Sequence, residues 1–278
     1  MKVAVLSDIH GNLAALECVA EDISLWQPDA VIVNGDVVNR GPRPLACWRF
    51  VQAQAKKFGW RILRGNHEDY ILSFLEDSAN SMRVDEKQKH AYWTFQRLNG
   101  SVEELRPLPN HFTLNAPDGS ELRLTHASMN GNRDGIQATD SEEKIRQQIG
   151  KAPAVFCTGH THKSFIRQVD QTMVVNSGSV GMPFDGDWRA SYAQLTWQKR
   201  GWSSKIIRLD YDRQQAERDF MESGFLNGGG PFVKLMLHEF QDARSHMYNW
   251  YRKYNDAVKN GEISFSNSVN AYLASCSV

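Results

Sequence analysis

The sequence predicts an α/β protein: a parallel sheet at the N-terminus, a helical insert, a second and partly antiparallel sheet, and a helical C-terminal extension. Three observations predict it. Short apolar runs alternate with amphipathic helical segments over the first 64 residues. Closely spaced strand patterns with turn signals return after residue 110. The text after Asp212 is helical and aromatic. Strand–helix alternation implies right-handed crossovers and places the strand C-terminal ends along one edge, where open α/β sheets bind ligands.

Residues 2–7 form an apolar run suited to a buried strand. After Gly11-Asn12, Leu13, Leu16, Val19 with Ala20, and Ile23 recur at helical spacing, giving an amphipathic helix over 12–26. Pro28 ends it, and Val31-Ile32-Val33 is the next buried strand. A helix near 43–57 and a strand at 61–64 follow. From about 76 to 110 the text is polar and helical, closed by Pro107 and Pro109. Strands resume at 111–115 and 121–126 across the turn Pro117-Asp118-Gly119. A helix at 141–149 and strands near 153–158, 165–169, 173–176, 191–197 and 204–209 complete the second sheet. Residues 1–210 thus read as one domain with an insert at about 76–110, and 211–278 as a helical extension packed on it. Gly228-Gly229-Gly230 reads as a hinge, because it lacks the spacing and preceding strand of a phosphate-binding loop.

Composition narrows the function. With 32 Lys+Arg against 32 Asp+Glu the net charge is zero, which argues against holding long nucleic acid on a basic surface. No run approaches the roughly 18 apolar residues of a membrane span. The N-terminus lacks the apolar region and cleavage site of a signal peptide, and the four cysteines show no CxxC spacing, so a cytoplasmic protein with reduced thiols is expected.

Five polar clusters follow apolar runs: Asp8-Ile9-His10, Gly35-Asp36, Gly65-Asn66-His67-Glu68, His126, and Gly159-His160-Thr161-His162. Together they offer two carboxylates, an amide oxygen and five imidazoles, an inventory suited to two divalent metals. Extended backbone would put Asp8 and His10 on one side, and likewise His160 and His162, unless the turn there directs those two to different metals. Mixed oxygen and imidazole donors favour Mn, Fe, Co, Ni or Zn over Ca or Mg. A carboxylate such as Asp36 can bridge two ions. The other histidines, His90, His111, His238 and His246, read as packed or surface residues.

These clusters, with Leu124-Thr125-His126-Ala127, resemble the calcineurin-like metallophosphoesterase superfamily. Trp93-Thr94, Leu108-Pro109, Asn176 to Gly181, Asp185-Gly186-Asp187 and Arg189 to Tyr192 resemble its small bacterial and archaeal phosphodiesterase branch, some of whose members are labelled diadenosine-tetraphosphatase-like. The resemblance spans about residues 1–200 and implies a four-layer α/β/β/α sandwich. It implies that one metal takes Asp8, His10, Asp36 and His162, and the other Asp36, Asn66, His126 and His160. Manganese is the first expectation, with Fe, Ni, Co or Zn as alternatives. His67 is implied to face the phosphate as general acid.

The activity so implied is hydrolysis of small phosphodiesters or phosphoanhydrides of nucleotide type, by attack of a metal-bridging hydroxide whose pKa the ions lower. Protonated His67 would serve the leaving oxygen, and Arg40 would clamp a non-bridging oxygen with its fork, unless it is a surface ion pair. The family segment G-D-x-V-D-R-G reads Gly35-Asp36-Val37-Val38-Asn39-Arg40-Gly41 here. An amide where a carboxylate supports the histidine predicts a weaker acid and good leaving groups, with Glu68 or Asp69 as substitute supports. The insert, with Lys87, Lys89, Tyr92 and Trp93, is expected to roof the site. The loop Asn176–Gly181 either approaches the site by its backbone or only lets the sheet close. The aromatic cluster at 248–254 reads as packing, with a base-stacking platform or a homodimer surface as alternatives. Phosphomonoesterase action and a non-catalytic metal-binding scaffold are the competing functions.

Overall fold

The structure, a computed structural model, describes residues 1–77, 84–199 and 201–276. Residues 78–83 of the predicted insert and 277–278 of the extension lie outside the described residues.

The first sheet contains β1 (Lys2–Leu6), β2 (Ala30–Val33) and β3 (Arg61–Ile62), with β9 (Ala190–Gln198) and β10 (Gly201–Leu209), in the order β10-β9-β1-β2-β3. β1, β2 and β3 run parallel, while β9 pairs antiparallel with β1 and with β10, so the strands expected at 191–197 and 204–209 complete the first sheet, not the second. The second sheet contains β4 (His111–Asn115), β5 (Glu121–Thr125), β6 (Val155–Thr158), β7 (Phe165–Val169) and β8 (Thr172–Asn176), in the order β4-β5-β6-β8-β7. Its inner strands β5, β6 and β8 are parallel.

Strand alternation builds the layers. In β1, Val3 and Val5 face the second sheet and pack with Leu122, Leu124, Val155, Cys157 and Val175. Ala4 and Leu6 point the other way, into the core under α1 (Leu13–Trp26) and α2 (Pro44–Phe58). Asn12 caps α1, its side chain accepting from the Ala15 amide, and Ala15, Leu16, Val19 and Ile23 form the buried stripe. On the far face, α5 (Glu142–Ile149) lays Ile145 and Ile149 on Phe156 and Val174. The result is the four-layer α/β/β/α sandwich expected.

α3 (Asn66–Asp77) starts within the Gly-Asn-His-Glu cluster itself, and α4 (Lys89–Arg97) follows. β3 is correspondingly only two residues long. The extension comprises α6 (Arg213–Glu222), α7 (Phe225–Gly228), α8 (Phe232–Asp242), α9 (His246–Lys259) and α10 (Phe265–Ala274). It packs around Phe232, Trp250 and Phe265, and joins the insert through Trp93, whose ring lies 4.7 Å from that of Phe225. Gly228 is a packed contact there, not a hinge, since a Cβ on it would lie 2.7 Å from Trp93 Cδ1. No described helix is long and apolar enough to cross a membrane.

Candidate metal centre

All five clusters arrive at one edge, as the C-terminal ends of β1, β2, β3, β5 and β6 require. Extended backbone is not what aims them. Asp8, His10, Asp36, Asn39, Arg40, His160 and His162 all have positive φ, between 49° and 68°. Non-glycine residues pay for that conformation, and such strain concentrates where surrounding structure must aim side chains at one point. The loops after β1, β2 and β6 therefore turn sharply; Asp8 and His10 meet as expected but through left-handed backbone, while His160 and His162 are directed into different donor groups.

Three devices hold the turns. Glu68, fully buried, accepts from the backbone amides of Asp36 and Gly65 (both 2.8 Å), Val37 (2.8 Å) and Val38 (3.2 Å). The loop after β8 braces the first cluster from behind: the Ser179 hydroxyl donates to the Asp8 carbonyl and the Gly181 amide to the same oxygen. A Cβ at Gly181 would stand 1.9 Å from the Ile9 carbonyl oxygen, so glycine is required by that close approach. Asn34 ties the sheets together, donating to the Thr125 carbonyl while its own carbonyl meets His126 Nδ1 at 2.9 Å. Glu68→Ala, which strands four buried amides, is expected to lower unfolding free energy by at least about 3 kcal/mol. Chemical denaturation would check it, and a change below about 1 kcal/mol would show that water replaces the carboxylate.

The side chains converge on two carboxylates. Asp8 Oδ1 lies 3.2 Å from His162 Nε2 and 3.7 Å from His10 Nε2. Asp36 Oδ2 lies 3.2 Å from His126 Nε2 and 3.7 Å from His10 Nε2. Asn66 Oδ1 lies 3.0 Å from His126 Nε2 and 2.7 Å from His160 Nδ1. Outer partners orient the donors: Asp36 Oδ1 accepts the His67 amide, Asp8 Oδ2 the His160 amide, and the Met182 carbonyl meets His162 Nδ1. Of the carboxylate oxygens in this cluster, Asp8 Oδ1 and Asp36 Oδ2 are buried with no hydrogen-bond partner. Two orphaned carboxylate oxygens ringed by imidazole nitrogens fit divalent cations, since an uncompensated buried charge is otherwise costly.

The electrostatics agree. Burial alone would raise both carboxyls, but His162 and His10 hold Asp8 well below the usual carboxylate range, and His126 and His67 hold Asp36 below it. Burial alone would lower His126, yet Asp36 pushes it up to about 10. Burial lowers His10, and burial with His126 brings His160 down to about 4.

Residues 1–200 match the calcineurin-like phosphoesterase superfamily domain. The chain belongs to this family. The phosphoesterase is 25% identical over 234 residues to an uncharacterized protein of Methanocaldococcus jannaschii, covering 77% of this chain and 89% of that one. It is 25% identical over 202 residues to the Escherichia coli phosphodiesterase YfcE, covering 70% and 87%. A metallophosphoesterase from Sphaerobacter thermophilus shares the fold, with a TM-score of 0.66 at 22% identity, covering 87% of this chain and all of that one. The protein is a hydrolase of phosphate esters, with His and Asp groupings that can bind metal.

The phosphoesterase's His67 opens beside this centre, with Nε2 3.9 Å from Asp36 Oδ2. Its support is Asn39 itself, whose Nδ2 lies 2.8 Å from His67 Nδ1. Neither acidic neighbour takes that place: Glu68 is spent on backbone amides, and Asp69 pairs with Arg64 at 3.2 Å. The Arg40 amide donates to Asn39 Oδ1 at 2.8 Å, which fixes the side-chain amide with its NH₂ toward the histidine. Nδ1 therefore accepts, and the neutral ring carries its hydrogen on Nε2. Burial lowers His67 well below its usual value, in line with the neutral ring that the Asn39 contact favours.

Arg40 lines the same cleft, which encloses about 400 Å³. It forms a buried ion pair with Glu239 of α8, where a surface pair was the alternative. Tyr70 and Phe74 on α3, and Lys87 and His90 of the predicted insert, line the cleft. Lys89 pairs outward with Glu86, Tyr92 packs on Phe74 and Phe95, and Trp93 faces the extension, because the period of α4 turns them away. On the opposite wall the aromatic cluster at 248–254 divides between packing and exposure. Trp250 is core as expected, but Tyr248 and Tyr251 are 62% and 42% exposed and line the cleft with Met247.

Proposed function

We propose that the protein is a dinuclear metal-dependent phosphoesterase cleaving small phosphodiesters or phosphoanhydrides that carry good leaving groups. The observation that carries this is Asp36, shared between two donor sets and holding a buried oxygen without a protein partner. Asp8, His10, Asp36 and His162 would hold one metal, and Asp36, Asn66, His126 and His160 the other. The donor chemistry suits manganese, with Fe, Co, Ni or Zn as alternatives. Bound there, two such ions would stabilise phosphoryl oxygens and supply a water of lowered pKa.

The chain's own residues supply the rest. His67, set by Asn39, presents Nε2–H toward the phosphate and hydrogen-bonds the departing oxygen. A neutral imidazole is a weak acid, which restricts the reaction to oxygens that leave readily. Arg40, fixed by Glu239, offers its remaining donors to a non-bridging oxygen. Tyr70, Tyr251 and Tyr248 border the space beside the centre, where a leaving group would lie.

The test is a metal screen (Mn, Ni, Co, Zn) against activated aryl diesters, cyclic nucleotides, dinucleoside polyphosphates, aryl monoesters and phosphopeptides. Turnover of diesters or anhydrides that chelation removes is expected, and no turnover of any of them would contradict the proposal. Asn39→Asp gives a sharper check. A carboxylate there would accept from Nδ1–H and let both ring nitrogens carry hydrogen. Turnover of an alkyl diester should then rise about tenfold, the equivalent of one pK unit, while an activated aryl diester changes little. Equal changes for both in steady-state assays would show that His67 does not serve the leaving group.

A further inference from the structure

Arg40 and Glu239 meet at the cleft wall from opposite ends of the chain. Arg40 stands in the loop after β2, its guanidinium carbon 5.5 Å from the Phe184 ring centroid, and Phe184 stacks on His162 at 4.3 Å. Its charge is thus beside the metal centre. Glu239 comes from α8, outside the residues that match the family domain, and is fully buried. One of its oxygens takes Arg40 Nη2, and the other accepts the Met247 amide at 2.8 Å, so the carboxylate cannot swing away. Arg40 Nε is buried without a partner, a donor left for a ligand oxygen.

We infer that Glu239 determines substrate charge: by neutralising Arg40 at the cleft wall, it makes the site favour singly charged phosphodiesters over doubly charged phosphomonoesters. The two ester classes differ by one negative charge near neutral pH. An unopposed Arg40 would reward that extra charge, whereas a paired Arg40 donates hydrogen bonds without adding net attraction. Of the nearby groups, burial and Arg40 push His90 down to about 3, so it adds no charge, and Lys87, which also lines the cleft, keeps its charge but is held at the extension wall by Asn255 at 3.0 Å in wild type and variants alike.

This inference rests on the phosphoesterase reading of the same site, and its test separates the two. Glu239→Gln removes the charge while keeping an oxygen for the Met247 amide, and Glu239→Met removes the charge at similar volume. Metal-loaded wild type and both variants are assayed with p-nitrophenyl phosphate and methyl p-nitrophenyl phosphate. The monoester-to-diester ratio of kcat/KM should rise about tenfold in both variants. Calorimetry should show inorganic phosphate binding about 10²-fold tighter and dimethyl phosphate about tenfold tighter, one factor of ten per unit of ligand charge. Turnover with an unchanged ratio and unchanged phosphate affinity overturns the role of Glu239 and leaves the phosphoesterase reading standing. No turnover by wild type of either ester, or of any diester or anhydride in the metal screen, overturns both.

Discussion

Asp36→Asn is expected to cut metal-dependent turnover by at least about 10³-fold, the scale of losing a central electrostatic group. The reason is local. Asp36 Oδ1 accepts the His67 amide at 2.9 Å, a bond the asparagine carbonyl oxygen can keep. Its NH₂ then occupies the place of Oδ2, pointing hydrogens toward His126 and His10, which lie 3.2 and 3.7 Å from that oxygen. One substitution thus removes the only carboxylate oxygen common to both proposed ligand sets, with little change in volume. Elemental analysis should find about two metals per chain in wild type and fewer than one in the variant, with similar circular dichroism for both. Retained metal and turnover within about threefold would show that Asp36 is not shared.

His67→Ala should leave the metal content intact and slow the reaction by about 10²–10³-fold for diesters with poor leaving groups. For a nitrophenolate, which needs no proton to depart, the loss should stay below about tenfold. This gradient separates a donor to the leaving group from a ligand. His67 Nε2 sits within reach of Asp36 and His10, and its ring meets His10 edge-on at 4.9 Å, so geometry alone would allow a ligand. A uniform loss accompanied by a lost metal would assign it to the centre.

The strands and the ligand clusters were legible because both depend on short-range pattern. Val3 and Val5 against Ala4 and Leu6 define two buried faces of β1, and polar residues directly after such a strand can only sit at its end. What aims those residues was not legible. The left-handed conformations of Asp8, His10, His160 and His162 answer to braces distant in sequence, such as Ser179 and Gly181 behind Asp8. The Asn39 departure was visible as a letter, but its consequence needed the Arg40 amide, which fixes which end of the side chain faces His67. The extension was hardest to read. Trp250, Tyr248 and Tyr251 look alike at helical spacing, and tertiary packing sends Trp250 to the core and the tyrosines to the cleft. Glu239 carries no motif at all, and its pairing with Arg40 spans 199 positions.

The central claim is a pair of metals sharing Asp36. Anomalous diffraction from crystals of the manganese-loaded protein tests it most directly. The account predicts two peaks about 3.5–4 Å apart, one against Asp8, His10 and His162, the other against Asn66, His126 and His160, with Asp36 between them. A single peak, or peaks away from Asp36, would contradict it.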